Sequence, residues 1–116
     1  MIRNLTKNCT LATKVRRCDT FLSRARGLMF HCPLAEDEAV VFVEKGESIS
    51  RAAIHMFFVF FPIAVIWLDA EKRVIDKALA RPFRPYYAPR KPAQYYVEGH
   101  PGLLEKVQVG DILEIL

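Results

Sequence analysis

Apolar positions crowd into one stretch, Ala52 to Asp69 (AAIHMFFVFFPIAVIWLD), and thin out into shorter patterned runs on either side. Burying a single Phe, Ile or Val side chain contributes roughly 1.5–3 kcal/mol, so the fold must enclose this stretch. As a membrane span it falls short of the about 20 apolar residues required, and it is broken by His55 and Pro62. A single buried helix is disfavoured by Pro62, which removes a backbone donor and clashes with the preceding turn. Two buried strands fit better. Val59, Ile63, Val65 and Ile66 are β-branched and Phe57, Phe58, Phe60, Phe61 and Trp67 are aromatic, types that suit a pleated surface, and Pro62 falls in or beside the connection. In the second strand Ile63, Val65 and Trp67 point one way and Ala64, Ile66 and Leu68 the other, so both faces are expected to be dry.

Around this core the pattern is mostly of period two. Thr10 to Arg17 alternates Leu11, Thr13 and Val15 against Ala12, Lys14 and Arg16, a half-buried strand with a basic outer face. Asp19 suits an N-cap for a short helix at about residues 20–26, with Phe21, Leu22 and Ala25 as its apolar stripe and Gly27 as its left-handed stop. A short strand from Ala39 to Val43 follows, then a turn or exposed loop at Lys45-Gly46-Glu47-Ser48. Beyond the core stretch, Val74 to Leu79 reads as a hairpin partner of the Trp67 strand, joined to it by the polar Ala70-Glu71-Lys72. Arg81 to Pro92 (RPFRPYYAPRKP) has too many prolines for a ladder of donors and is expected to be a stiff extended loop. Strand character returns from Ala93 to Glu98, one helical turn is expected at Leu103 to Lys106, and a last strand at Ile112 to Leu116. The sum is a single domain over residues 1–116, mainly β: a small antiparallel sandwich or partly closed, jelly-roll-like barrel with the short N-terminal helix packed on it.

Charge and cysteine usage narrow the setting. The net charge of +4 is unevenly spread, with seven basic residues from Arg3 to Arg26 against Asp19 alone and an acidic lean after Glu98. Such a basic face attracts phosphate or RNA, or simply solubilises the protein. Three cysteines, Cys9, Cys18 and Cys32, without CxxC spacing argue against a disulfide framework and for a reducing compartment. Without the apolar core of a secretory signal in MIRNLTKNCTLATKVRR, the expected location is the cytoplasm.

Several strings occur together in one order: DTFLSRARGLMF (Asp19 to Phe30), HMFFVFFPI followed by VIWLD (His55 to Asp69), a proline- and tyrosine-containing loop, YVE (Tyr96 to Glu98) and VGD (Val109 to Asp111). In combination they resemble the family of small prokaryotic proteins known as domain of unknown function 192, over nearly the whole chain. The resemblance implies a mainly β fold of jelly-roll or barrel type and no activity. Two positions depart from the family pattern: Ala64 stands where an aspartate usually follows the PI or PL pair, and His55 where a Trp often precedes the Met. A shared role for that aspartate does not extend to this chain.

Three constellations bear on chemistry. Arg81, Arg84, Tyr86, Tyr87, Arg90 and Lys91 interleave cations with aromatics, which neutralise phosphates while stacking on bases, although tyrosines packed on the sheet beneath solvated arginines are the commoner arrangement. Asp69, Glu98 and Asp111 would divide acid and base duties only if they met in a cleft; turn formation and ion pairing of Glu98 with Arg24 or Arg26 are the plainer roles. Cys18, His31, Cys32, His55 and His100 match no zinc spacing, and no metal, other cofactor or catalytic residue is expected. The leading expectation is a non-enzymatic, monomeric binding module for a small anionic ligand or partner, with Arg81, Arg84, Tyr86, Tyr87, Arg90, Lys91 and Glu98 as its site and no membrane involvement. Single-stranded RNA binding and a carboxylate-dependent hydrolase or sugar-processing activity are the alternatives.

Overall fold

The computed structural model describes residues 1–18 and 34–116. Its strands are β1 (Ile2–Asn4), β2 (Cys9–Ala12), β3 (Lys14–Cys18), β4 (Glu38–Ser48), β5 (Ile63–Leu68), β6 (Val74–Ala80), β7 (Ala93–Gly99) and β8 (Leu113–Ile115), with a 3-10 turn at Pro101–Glu105. They form a three-stranded sheet, β2-β1-β8, and a five-stranded sheet, β3-β4-β7-β5-β6. The mainly β, two-sheet expectation holds, with two corrections: neither sheet closes into a barrel, and β3 runs parallel to β4, so the large sheet is mixed. Parallel neighbours cannot be joined by a tight turn. The helix expected at about residues 20–26, with Asp19 and Gly27 as its caps, lies outside the described residues.

The large sheet is dry on both faces, as the Ile63 to Leu68 pattern requires. On one face Ala39, Val41, Ala64, Ile66, Leu68 and Val97 pack with Ile2, Leu11 and Leu113 of the small sheet. Leu103 and Val107 close that layer. Gly99 makes room for it: a Cβ there would lie 2.5 Å from Leu103 Cδ1. On the other face Val40, Phe42, Ile63, Val65, Trp67 and Tyr96 meet Ala52, Ile54, Met56, Val59 and Phe61. Phe42, Tyr96 and Trp67 are register partners across β4, β7 and β5, and the Phe42 and Tyr96 rings stack at 4.7 Å.

The first half of the core stretch is therefore not a strand. β5 already pairs with β6 on one side and β7 on the other, so no ladder position beside β5 is left for residues 57–61. The segment instead lies across the sheet face, tied down by the Trp67 indole donating from Nε1 to the Ala52 carbonyl at 2.7 Å. Ala52, Ile54 and Met56 are buried, the phase breaks at Phe58, whose φ is 58°, and Val59 and Phe61 go in again. Pro62 sits exposed, immediately before β5.

Three other boundaries differ from expectation. Thr10 to Arg17 is not one strand: it divides at Thr13, β2 joining the small sheet and β3 the edge of the large one. Lys45 to Ser48 is not a turn but the end of β4, where the pairing with β7 skips from Val43 to Ser48 in a bulge. β1, too short to show a period, was not expected as a strand. Among the described residues no helix is long and apolar enough to cross a membrane.

Candidate functional site

Two irregular segments, residues 54–60 and 81–87, are locked together by four main-chain hydrogen bonds. Ile54 N–H donates to Tyr87 O at 2.8 Å, Tyr87 N–H to Ile54 O at 3.0 Å, Met56 N–H to Arg84 O at 2.9 Å and Phe83 N–H to Met56 O at 2.9 Å. Met56 and Ile54 anchor the pair in the core, and Tyr87 packs half-buried against the same cluster. Its hydroxyl accepts from the Arg81 N–H at 2.8 Å, and the Arg84 guanidinium lies 5.1 Å from its ring centroid.

What this frame presents to solvent is aromatic. Phe57, Phe58, Phe60, Phe83 and Tyr86 are 47, 46, 59, 47 and 60% exposed. Phe60 and Phe83 meet edge to face at 5.1 Å, and Phe57 tilts against His55 at 5.5 Å. Phe58 and Phe83 both hold φ near +60°, at 58° and 62°, a region a bulky side chain rarely adopts unless its surroundings impose it. Arg81 to Tyr86 form an unbroken exposed run.

Arg81, Arg84 and Tyr86 are thus exposed on one loop, with Tyr87 half-buried at its end. Arg90 and Lys91 are exposed, and the Arg90 N–H donates to Asp76 Oδ2 at 3.0 Å, pinning that end of the loop to β6. Glu98 belongs elsewhere, on the central strand β7 between Val40 of β4 and Val65 of β5, and it is buried. Burial pushes its carboxyl up to about 8 from 4.5, against the opposing pull of the Arg16 guanidinium. Its expected partners Arg24 and Arg26 lie outside the described residues. The residues that sequence reasoning missed are Phe57, Phe58, Phe60 and Phe83. Their signal was present for Phe83, flanked by Arg81 and Arg84 in the very loop singled out, but absent for the others, which read as core.

The three carboxylates have separate tasks. Asp69 Oδ1 accepts the Glu71 and Arg73 N–H groups at 3.0 and 2.9 Å, closing the β5–β6 turn. Glu47 and Glu71 approach it within 4.8 Å, and Glu47 itself accepts the Ala70 N–H at 2.9 Å. Asp111 accepts from Asn4 Nδ2 at 2.8 Å, from Lys7 Nζ at 3.0 Å and from the Gln108 N–H at 3.0 Å. Burial alone would raise its pKa, but these donors outweigh it and hold the carboxyl below its ordinary range. Cys9 is half-buried and Cys18 buried, and the Nδ1 atoms of His55 and His100 each accept a nearby backbone N–H.

The model of the family designated DUF192, described as Uncharacterized ACR, matches residues 3–115. The chain belongs to this family. A UPF0127 protein of Thermococcus kodakarensis is 44% identical over 115 residues, 97% of this chain and 71% of that one. A UPF0127 protein of Pyrococcus furiosus is 39% identical over 113 residues, 96% of this chain and 94% of that one. The fold is similar to the crystal structure of a protein of unknown function from Novosphingobium aromaticivorans, with a TM-score of 0.87 at 22% identity, covering 98% of this chain and 82% of that one. Family membership agrees with the resemblance carried by the GLMF, WLD, YVE and VGD strings. It assigns the family no chemistry, so the reading of the site rests on its physical character.

Proposed function

We propose that this protein is a non-enzymatic binding module that docks an anionic partner on the aromatic face of segments 54–60 and 81–87. The observation that carries the reading is five exposed rings on two hydrogen-bonded loops, with Arg81 and Arg84 among them and no acidic residue from Arg81 to Pro92. Leaving several phenyl rings in water forgoes burial that a folding chain otherwise takes, and contiguous apolar patches on soluble domains mark interaction sites. The arginines give the patch a sign. They favour a negatively charged partner and, across a two-fold axis, would oppose their own copies, which disfavours self-association through this face.

A carboxylate-dependent hydrolase has no comparable support, because Asp69, Glu98 and Asp111 hold disjoint sets of partners. The test is retention on immobilised heparin at rising salt. Arg81→Glu with Arg84→Glu is expected to elute at clearly lower salt than a control pair on other surfaces, Lys45→Glu with Lys106→Glu, although both remove the same charge. Equal shifts for the two pairs would mean that net charge alone is being read, and the docking face would have to be abandoned.

A further inference from the structure

We infer that the partner is an anionic lipid surface, on which the 81–86 loop and the neighbouring phenylalanines seat the protein peripherally. The inference rests on the docking face proposed above and names what that face fits. Phe57, Phe58, Phe60 and Phe83 offer no hydrogen-bonding atom, and the only other residues between Met56 and Pro62 are Val59 and Phe61. A nucleic-acid strand needs open ring faces arrayed along a track of cations. Here two of the rings are engaged with each other edge to face, and the cations sit on one loop alone. A bilayer interface asks for something different: apolar groups that enter the acyl boundary, basic groups that stay at headgroup level, and an amphipathic ring between them.

The loop meets each requirement in order. Pro82, Phe83 and Pro85 are exposed apolar residues, Arg81 and Arg84 alternate with them, and the exposed, amphipathic Tyr86 follows. One apolar contact or one basic cluster binds membranes only marginally, whereas the two together give reversible anchoring. Rigidity adds to this. The left-handed backbone at Phe58 and Phe83 and the hydrogen bonds between the segments hold the rings out before any surface is met, so little ordering is required on contact.

The test is co-sedimentation of the full chain with vesicles of phosphatidylcholine containing about one-third phosphatidylglycerol, beside pure phosphatidylcholine vesicles and a fluorescent oligouridine. Binding is expected to the anionic vesicles and to fall about tenfold or more both for Phe60→Ser with Phe83→Ser and for Arg81→Glu with Arg84→Glu. Circular dichroism melts establish that each variant is folded. Binding that survives loss of both phenylalanines would overturn the inference, since charge alone would then suffice. Oligouridine binding without vesicle binding also overturns it and leaves the anionic docking face standing. Failure on vesicles, oligouridine and heparin alike removes both.

Discussion

Two buried carboxyls titrate in opposite directions and should be visible in the pH dependence of stability. Glu98 has a folded pKa raised to about 8, so the native chain holds its proton more tightly than the unfolded chain does. Its contribution is therefore full below the ordinary value of 4.5, declines as pH rises, and is gone above about 8. The size of such a term for a buried acid is on the order of a few kcal/mol. Asp111 is lowered, so its contribution is present at neutral pH and is lost as pH falls through its folded pKa. Glu98→Gln keeps shape and hydrogen-bonding capacity while removing the titration. Urea denaturation midpoints of the wild-type protein should drop between about pH 5 and 8, and those of Glu98→Gln should stay level, while both lose stability alike in acid. A parallel decline in the variant would show that Glu98 is already ionised in the native state.

At the scale of elements, the segment from Ala52 to Phe61 is held to the sheet by side chains rather than by a ladder. Trp67 is its principal tie, buried against it and bonded to the Ala52 carbonyl. Trp67→Phe would leave that carbonyl without its donor and open a void beside it, a loss of about 2–4 kcal/mol. Because the same segment carries Phe57, Phe58 and Phe60, hydrogen exchange at Ile54 and Met56 should speed up in Trp67→Phe more than exchange in β4 or β7. Uniform acceleration would mean that the segment and the sheet open together. The sequence pattern explains which elements could be foreseen. Ile63 to Leu68, with both faces apolar, admits only a central strand, and the prolines of Arg81 to Pro92 admit only a loop. Phe57, Phe58 and Phe60 have the composition of a strand, and what denies them that role is that β6 and β7 already occupy both sides of β5. Lys45 to Ser48 has the composition of a turn, yet a bulge lets it continue β4. In each case the deciding information is a pairing between distant residues, which no local pattern holds.

The same limit governs the candidate site, since its basic loop was legible from residue types while its aromatic partner segment became visible only once the core stretch was seen to lie outside the sheet. On the scale of the whole molecule, the small sheet is where the two ends of the chain meet, and β1 is its middle strand. Ile2 is fully buried among the apolar residues between the sheets, and Asn4 donates to the Lys106 carbonyl as well as to Asp111. Removing residues 1–4 would therefore leave β2 and β8 without the strand that joins them, strip Asp111 of its Asn4 donor and uncover the part of the large sheet that Ile2 covers. The loss combines a large apolar area with an under-satisfied buried carboxylate, so it should exceed that of any single substitution named above. The expected result is a broad, non-cooperative thermal transition and binding of a hydrophobic dye at temperatures where the complete chain binds none. The opposite face, which bears the aromatic loops, does not depend on β1 for its packing. Should the shortened chain instead melt sharply within a few degrees of the complete one, the large sheet would be stable without that cover, and the two-layer account of this fold would fail.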